Sequence, residues 1–182
     1  MQRVLVTGGA GFIGSHLVDA LLADHYEVLV IDNFDPFYER YIKEQNILSH
    51  TKNAHYRLVE VDIRDRESVF RIFSEWQPEI VVHLAAKAGV RPSVQDPQMY
   101  AEVNINGTMH VLDAAVKVGV KKFIFGSSSS VYGLNEKVPF SEADPLLKPA
   151  SPYGATKLAG EALCNSYSNC YGLPIVALRF FT

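Results

Sequence analysis

The chain has 182 residues, of which 48% are hydrophobic, and its 17 basic residues nearly balance 20 acidic ones. This length predicts one domain that removes roughly 70% of its unfolded surface from water, and the absence of a basic run argues against nucleic acid as a partner. The apolar runs have the length of strands, and the amino terminus enters a strand without a signal sequence. We therefore expect a cytoplasmic protein with no membrane association.

The first element is an apolar, β-branched run at residues 4–6, followed directly by glycines at 8, 11 and 14. Gly8 allows a tight turn, Gly11 removes a Cβ that would block a diphosphate, and Gly14 lets a helix over 12–23 lie close to its strand. The free N–H groups at the start of that helix suit phosphates. The stretch predicts dinucleotide binding, and the alternative is a plain glycine-rich turn.

A second strand from Glu27 to Ile31 ends at Asp32, eighteen residues beyond Gly14. A carboxylate at this place can accept both ribose hydroxyls of an adenosine and would repel a 2′-phosphate, so it favours NAD over NADP. An aspartate that caps the following loop is the alternative. The stretch 33–41 reads as a loop, and 42–49 as a short helix.

The third strand, His55 to Val61, stops at Asp62 and Ile63. In the expected geometry these two residues border the adenine, the acid at its amino group and the isoleucine at its face. Asp62 as an ordinary helix N-cap is an alternative compatible with that role. A helix with one apolar side is predicted over 66–76.

The fourth strand, Ile80 to Leu84, leads into small residues at the sheet edge where ligands bind in open parallel sheets. Ala85 and Ala86 permit close approach of a cofactor. Lys87 and Arg91 either face an anionic substrate or are exposed loop cations without a specific role. A long helix over 99–118 contains Asn104, and an asparagine inside a helix is more often solvated than functional.

The fifth strand, Lys121 to Phe125, opens into four serines, which form either a polar turn or a donor beside a reacting carbonyl. A helix from Tyr153 to about Tyr171 precedes the sixth strand, 175–179.

Tyr153 and Lys157 are four residues apart and share a helix face. A phenol with a pKa of about 10 is a poor base, but an adjacent ammonium and a nicotinamide cation both favour phenolate. Tyr153 is therefore a candidate general base; the alternative is a chance spacing without a role, which is common on helices.

Two cysteines and six histidines bear on metal binding. Cys164 and Cys170 lie six residues apart on one predicted helix, so they face different directions and suit neither a disulfide nor a metal. No histidine falls into ligand spacing with another or with cysteine, and we expect no metal.

The alternation of strands and helices predicts the α/β class: a Rossmann-like, doubly wound parallel sheet in the order 3-2-1-4-5-6, formed by residues 1–182 as one NAD-binding domain.

Together these motifs resemble the extended short-chain dehydrogenase/reductase family of NAD-dependent epimerases and dehydratases, whose members act on nucleotide sugars. The matching segments are 7–14, Asp32, 62–63, 83–86, 104–108, the serines before Val131-Tyr132-Gly133, and 153–157. The resemblance implies that Tyr153 is the base, Lys157 binds the nicotinamide ribose, and Ser128 is the hydroxyl partner. The implied cofactor contacts are Gly8, Gly11, Phe12, Ile13, Gly14, Asp32, Asn33, Asp62, Ile63, Leu84, Ala85, Ala86, Lys157 and Phe181, the last near the nicotinamide.

The serine run bears on the reaction. Family members that eliminate water from a hexose carry Thr-Asp-Glu before Val-Tyr-Gly, and decarboxylases carry Thr-Ser-Glu, whereas this chain has three serines at 128–130. The resemblance therefore implies 4-epimerisation through a transient 4-keto sugar with tightly bound NAD. The segment 83–93 looks most like UDP-glucuronate 4-epimerases, although Lys87 replaces an expected glutamine and Pro92 an aromatic residue.

Other readings stay open beside this one. They are a UDP-glucose or UDP-galactose 4-epimerase, a sugar reductase, and a non-catalytic NAD-binding module. Members of the family run beyond the sixth strand into a C-terminal substrate region, so we expect the 182 residues to be the NAD-binding domain of a longer enzyme, inactive alone. The resemblance also implies a homodimer of that enzyme through the helices at 99–118 and 153–171.

Overall fold

The computed structural model describes residues 1–145 and 148–181. Six parallel strands form one sheet in the order β3-β2-β1-β4-β5-β6, which confirms the predicted class and strand order. The strands are β1 (Arg3–Thr7), β2 (Glu27–Asp32), β3 (Tyr56–Glu60), β4 (Ile80–His83), β5 (Lys122–Ser128) and β6 (Ile175–Phe180). The helices are α1 (Phe12–Ala23), α2 (Arg40–Ile47), α3 (Arg66–Trp76), α4 (Val90–Gln95), α5 (Pro97–Ala101), α6 (Thr108–Val118) and α7 (Pro152–Tyr171).

The central strands are apolar throughout because helices cover both faces of the sheet. Successive side chains of β1 point to opposite faces: Leu5 packs into the cluster that contains Phe73 of α3, while Val4 and Val6 pack against Val18 of α1. All five side chains are almost fully buried, and burying each one stabilises the fold by about 1.5–3 kcal/mol.

The α1 side of the sheet is less well covered at β6. Val176 and Leu178 point to this side and are 52% and 42% exposed, although both belong to a regular strand. The sheet therefore presents an apolar strip at one edge.

The long helix predicted over 99–118 differs in detail. It begins two residues earlier, because Asp96 caps it by accepting from Met99 N at 3.1 Å and Pro97 fits the first turn. Between α5 and α6 it contains a π turn, Glu102–Gly107. The short helix α4 was not predicted. β5 extends beyond Phe125, so the first two serines of the run belong to the strand.

Three further features concern the cysteines, the helices and the candidate metal ligands. Both cysteines are free, Cys164 buried and Cys170 exposed. Over residues 1–145 and 148–181, no helix is long and apolar enough to cross a membrane. The same residues contain no cluster of three or more candidate metal ligands.

Candidate functional site

A groove of about 420 Å³ runs along the carboxyl edge of the sheet. It is lined by every residue that the sequence predicts for the site except Phe181. Those residues are Gly8, Gly11, Phe12, Ile13, Gly14, Asp32, Asn33, Asp62, Ile63, Leu84, Ala85, Ala86, Ser128, Tyr153 and Lys157. Segments far apart in the chain thus meet at one edge, as expected where parallel strands end together.

The glycine turn leaves no room for side chains. Gly8 has φ +75°, and a Cβ there would lie 2.8 Å from Ala85 N; a Cβ on Gly14 would lie 2.3 Å from Gly8 O. Among the described residues no side chain caps α1, so its first N–H groups stay available to a ligand. A bare backbone cradle at a helix N-terminus fits the diphosphate of a dinucleotide.

Asp32 lies at the end of β2 and is only 5% exposed. Its Oδ2 accepts from Ala10 N at 3.0 Å, and its Oδ1 accepts from Phe34 N at 2.9 Å and from Lys43 Nζ at 3.3 Å. A carboxylate has about four acceptor positions, so Asp32 keeps about one for a ribose hydroxyl. Lys43, itself almost buried, has further protons to donate to the second hydroxyl.

Sequence reasoning missed Lys43. It lies in α2, outside every glycine, serine or tyrosine motif, and it meets Asp32 only because α2 packs over the end of β2. A lysine in the helix after an expected ribose-binding aspartate is the one signal that was available.

Asp62 and Ile63 stand at the end of β3, as predicted. Burial opposes ionisation of Asp62, but hydrogen bonds from Arg64 and Asn33 outweigh it and hold the pKa of Asp62 below its ordinary value. The N-cap of α3 is Asp65, which accepts from Ser68 N, so the N-cap reading of Asp62 is wrong.

Asn104 corrects a second expectation. It is 2% exposed rather than solvated, and it lies in the π turn, a feature frequent at functional sites. Its Oδ1 accepts from Lys87 N at 2.8 Å, and its Nδ2 donates to Lys87 O and to Thr156 Oγ1, both at 3.0 Å. Asn104 therefore ties the loop after β4 to α7, beside Lys157.

His83 at the end of β4 connects three elements in the same region. The Thr7 hydroxyl lies 2.6 Å from its Nδ1, and Thr108 Oγ1 lies 3.0 Å from its Nε2. Because the Thr108 hydroxyl donates to Asn104 O, His83 carries its proton on Nε2. Burial, with the charge of Lys157 as a second cause, lowers the pKa of His83 to about 3, so the ring is neutral at physiological pH.

Tyr153 is held by the way α7 begins. Ser151 is the N-cap and accepts from Gly154 N at 3.1 Å. A Cβ on Gly154 would lie 2.8 Å from Ser130 O, so the glycine lets the helix pack against the serine turn. Burial raises the pKa of the Tyr153 phenol, and the nearby Ser128 hydroxyl opposes that shift.

Lys157 is on the predicted helix face, and its ammonium donates to Gly126 O at 2.7 Å. Burial lowers the pKa of Lys157 to about 8. The ammonium was expected to lower the pKa of Tyr153, but burial of the phenol dominates and raises it. Ser128, Tyr153 and Lys157 nevertheless line one groove together.

An ion pair connects β6 and α7 next to the serine run. Arg179 of β6 donates through Nε and Nη2 to the Glu161 carboxylate at 2.9 Å, and Ser127 Oγ donates to the same carboxylate at 2.6 Å. Phe180, which was not predicted, lines the groove. Phe181 lies 62% exposed near Tyr132 and Phe140, so its contact with a nicotinamide stays a prediction.

We expect replacement of Lys157 by methionine to change how stability depends on pH. Below pH 8 the folded chain carries a desolvated ammonium; from about pH 8 to 10.5 the folded chain has lost that proton while the unfolded chain keeps it. Wild-type stability should therefore rise relative to Lys157→Met over this window, by about 3 kcal/mol.

Urea unfolding of both chains at pH 7 to 10.5 measures this effect. The comparison cancels the titrations of groups that do not interact with Lys157; Cys164, whose charge interacts with that of Lys157, is replaced by alanine in both chains. Parallel pH curves for the two chains would show that the Lys157 ammonium is not desolvated by folding.

Comparison with known proteins agrees with this geometry. Residues 5–182 match the family model described as GDP-mannose 4,6 dehydratase. The chain is 37% identical over 181 residues to a probable UDP-glucuronate 4-epimerase of Rhizobium meliloti, covering all of this chain and 53% of that protein. The chain spans about half the length of the curated relatives it matches.

Two solved structures resemble the fold closely. The UDP-glucuronic acid 4-epimerase of Bacillus cereus, in complex with UDP-glucuronic acid and NAD, has a TM-score of 0.92 and 41% identity, with all of this chain and 57% of that one covered. The UDP-glucose 4-epimerase of Thermus thermophilus, in complex with NAD, has a TM-score of 0.86 and 42% identity over 98% of this chain and 54% of that one. With the family model matching nearly the whole chain, the chain belongs to the GDP-mannose 4,6 dehydratase family of NAD-dependent epimerases and dehydratases.

Proposed function

We propose that residues 1–182 are the NAD-binding domain of a longer nucleotide-sugar 4-epimerase and carry its catalytic tyrosine. The observation that carries this proposal is the convergence of Ser128, Tyr153 and Lys157 with the glycine turn in one groove. A module that only held NAD would need the glycine turn and Asp32, but not the phenol and its two partners.

In the proposed reaction, each residue of the groove has a separate role. The groove would hold NAD, whose chemistry there would be to accept hydride from C4 of the sugar and give it back to the opposite face of the 4-keto intermediate. Tyr153 takes the proton of the C4 hydroxyl and gives it back, and Ser128 donates a hydrogen bond to the same oxygen. Lys157 holds the nicotinamide ribose, and the bare turn at 8–14 holds the diphosphate.

The reaction is epimerisation rather than elimination. Elimination of water needs an additional acid and base beside the sugar, and the serine run places hydroxyls there instead of carboxylates. We assign UDP-glucuronate as substrate because relatives named as 4-epimerases of this sugar nucleotide match the whole chain. UDP-glucose is the competing substrate, since an epimerase for it matches with equal identity.

The setting of the enzyme is also part of the proposal. We infer a homodimer through α5, α6 and α7, and a cytoplasmic location, where the free thiols of Cys164 and Cys170 stay reduced. The support for the longer enzyme is the coverage of the relatives, of which the chain spans 53–57%.

Two measurements test the function. Titration of the 182-residue chain with NAD should show binding, with weaker binding of NADP. The full-length protein, assayed against UDP-glucuronate, UDP-galacturonate, UDP-glucose and UDP-galactose, should interconvert the two uronates with no net NADH formed. Net NADH formation would favour a dehydrogenase or reductase. Rapid turnover by the 182 residues alone would contradict the proposal that they are only the NAD-binding domain of a longer enzyme.

A further inference from the structure

The loop that follows β2 crosses the groove and contacts the loop that follows β4. Between these two strands lies β1, which ends in the glycine turn. A Cβ on Gly11 would lie 3.6 Å from the Tyr38 hydroxyl, and one on Gly89 would lie 3.7 Å from the Phe37 ring. The β2 loop thus covers the turn from one side and reaches the β4 loop on the other.

An ion pair joins the two loops at this crossing. Lys87 Nζ donates to both oxygens of the Asp35 carboxylate, at 3.1 and 3.2 Å. Both side chains line the groove and are partly buried, 23% and 28% exposed. The pair therefore joins the loops on either side of β1 within the groove that also contains the glycine turn.

Each partner is also held by hydrogen bonds other than the ion pair. The N–H and C=O of Lys87 are each bound by Asn104, and the Asp35 carboxylate also accepts from Phe37 N at 3.0 Å. Because both ends are fixed, forming this pair immobilises less than two free surface chains would. Lys87 is therefore directed across the groove toward Asp35, and this answers the question that the sequence left open about its role.

We propose that the Lys87–Asp35 ion pair is a clasp that closes the groove over the dinucleotide and sets the rate at which the cofactor exchanges. The inference rests on the proposed NAD site and adds a kinetic role to it. It also gives a reason for lysine at a position where the family resemblance leads us to expect glutamine: the ammonium binds the Asp35 carboxylate more strongly than a neutral amide would.

A clasp makes a distinctive kinetic prediction. Since it must open both for entry and for release, its removal raises both rate constants and leaves the dissociation constant nearly unchanged. A lysine that served only as a ligand of the diphosphate would act differently: its loss would slow association and speed release, while loss of Asp35 would tighten binding by removing a like charge.

The experiment measures NADH binding to the 182-residue chain by stopped-flow fluorescence, with release followed by displacement with excess NAD. Lys87→Gln and Asp35→Asn should each raise association and release about fivefold, the factor expected for a pair of this exposure. The charge-reversed double variant, Asp35→Lys with Lys87→Asp, should return both rates to within about twofold of wild type. Added salt should accelerate exchange in the wild type but not in Lys87→Gln.

The matched control is Lys121→Gln. Lys121 pairs with Glu79 at 2.7 Å near the amino ends of the strands, so its replacement makes the same change of charge away from the groove. Its exchange rates should stay at the wild-type values. Unchanged rates in Lys87→Gln, or tighter binding in Asp35→Asn, would overturn the clasp while leaving the NAD site intact. A wild-type chain that binds no NADH would contradict the cofactor proposal and the clasp with it.

Discussion

In the full-length protein, Tyr153→Phe should lower the rate of epimerisation about a thousandfold while NAD binding changes less than twofold. General acid–base groups contribute 10² to 10⁴ in rate, and Tyr153 is the phenol that lines the groove beside Ser128 and Lys157. Phenylalanine keeps the ring that packs edge-to-face against Tyr100 at 6.3 Å, so only the hydroxyl is lost. Turnover of UDP-glucuronate and NAD titration, measured on the same preparation, check the two halves of the expectation.

Tyr167→Phe is the matched control for this variant. Tyr167 lies on the same helix, and its hydroxyl donates to Asp113 Oδ1 at 2.6 Å, away from the groove. We expect turnover within about twofold of wild type and a loss of stability of about 1 kcal/mol for the lost hydrogen bond. If Tyr153→Phe behaved like Tyr167→Phe, Tyr153 would not be the base and the chain would be better described as a nucleotide-binding module.

Local patterns were sufficient for the fold and for most of the groove. The run at 4–6, the glycine spacing and the alternation of strands and helices each depend on residues close in sequence, and a parallel sheet gathers the loops after its strands at one edge. The spacing placed Tyr153 and Lys157 on one helix face, but only the family resemblance separated this pair from a chance occurrence.

Contacts between distant segments were not predictable in this way. Lys43 reaches Asp32 across the packing of α2, and Asn104 is buried because a π turn directs it toward Lys87 and Thr156. The pattern of apolar and polar residues predicts helices and strands but not these contacts, since each contact depends on how two elements pack. The same holds for Lys87, whose partner Asp35 lies 52 residues away.

The pKa of Tyr153 shows a different limit. Spacing placed an ammonium one helical turn away, which favours phenolate, but it could not reveal that Gly126 O accepts from that ammonium or that the phenol is buried. Burial raises the pKa of a phenol, so the two effects oppose each other. The Ser128 hydroxyl already opposes the effect of burial, and a bound nicotinamide cation would lower the pKa of Tyr153 further toward the base form.

Asp32→Ala should be the most destabilising of the substitutions considered, with a loss of about 3–5 kcal/mol in the free energy of unfolding. It removes the acceptor for Ala10 N and Phe34 N and leaves the Lys43 ammonium, 7% exposed, as an unpaired buried charge. Replacing Lys43 by methionine in the same chain removes that charge, and the double variant should recover about half of the loss. Urea unfolding at pH 7 is measured for the wild type, Asp32→Ala, Lys43→Met and the double variant.

The double-mutant cycle separates the ion pair from the loop contacts that Asp32 makes alone. Glu44→Ala on α2 is the control: its pair with Arg40 is about half exposed on both sides, so we expect a loss of no more than about 0.5 kcal/mol. The same variants test the ribose site, because Lys43→Met should weaken NAD binding about fivefold, whereas Asp32→Asn should lose preference for NAD over NADP once the negative charge is gone. If Asp32→Ala cost no more than Glu44→Ala and left the preference for NAD intact, the carboxylate would neither anchor the loop nor read the ribose, and the assignment of the groove to NAD would lose its basis at β2.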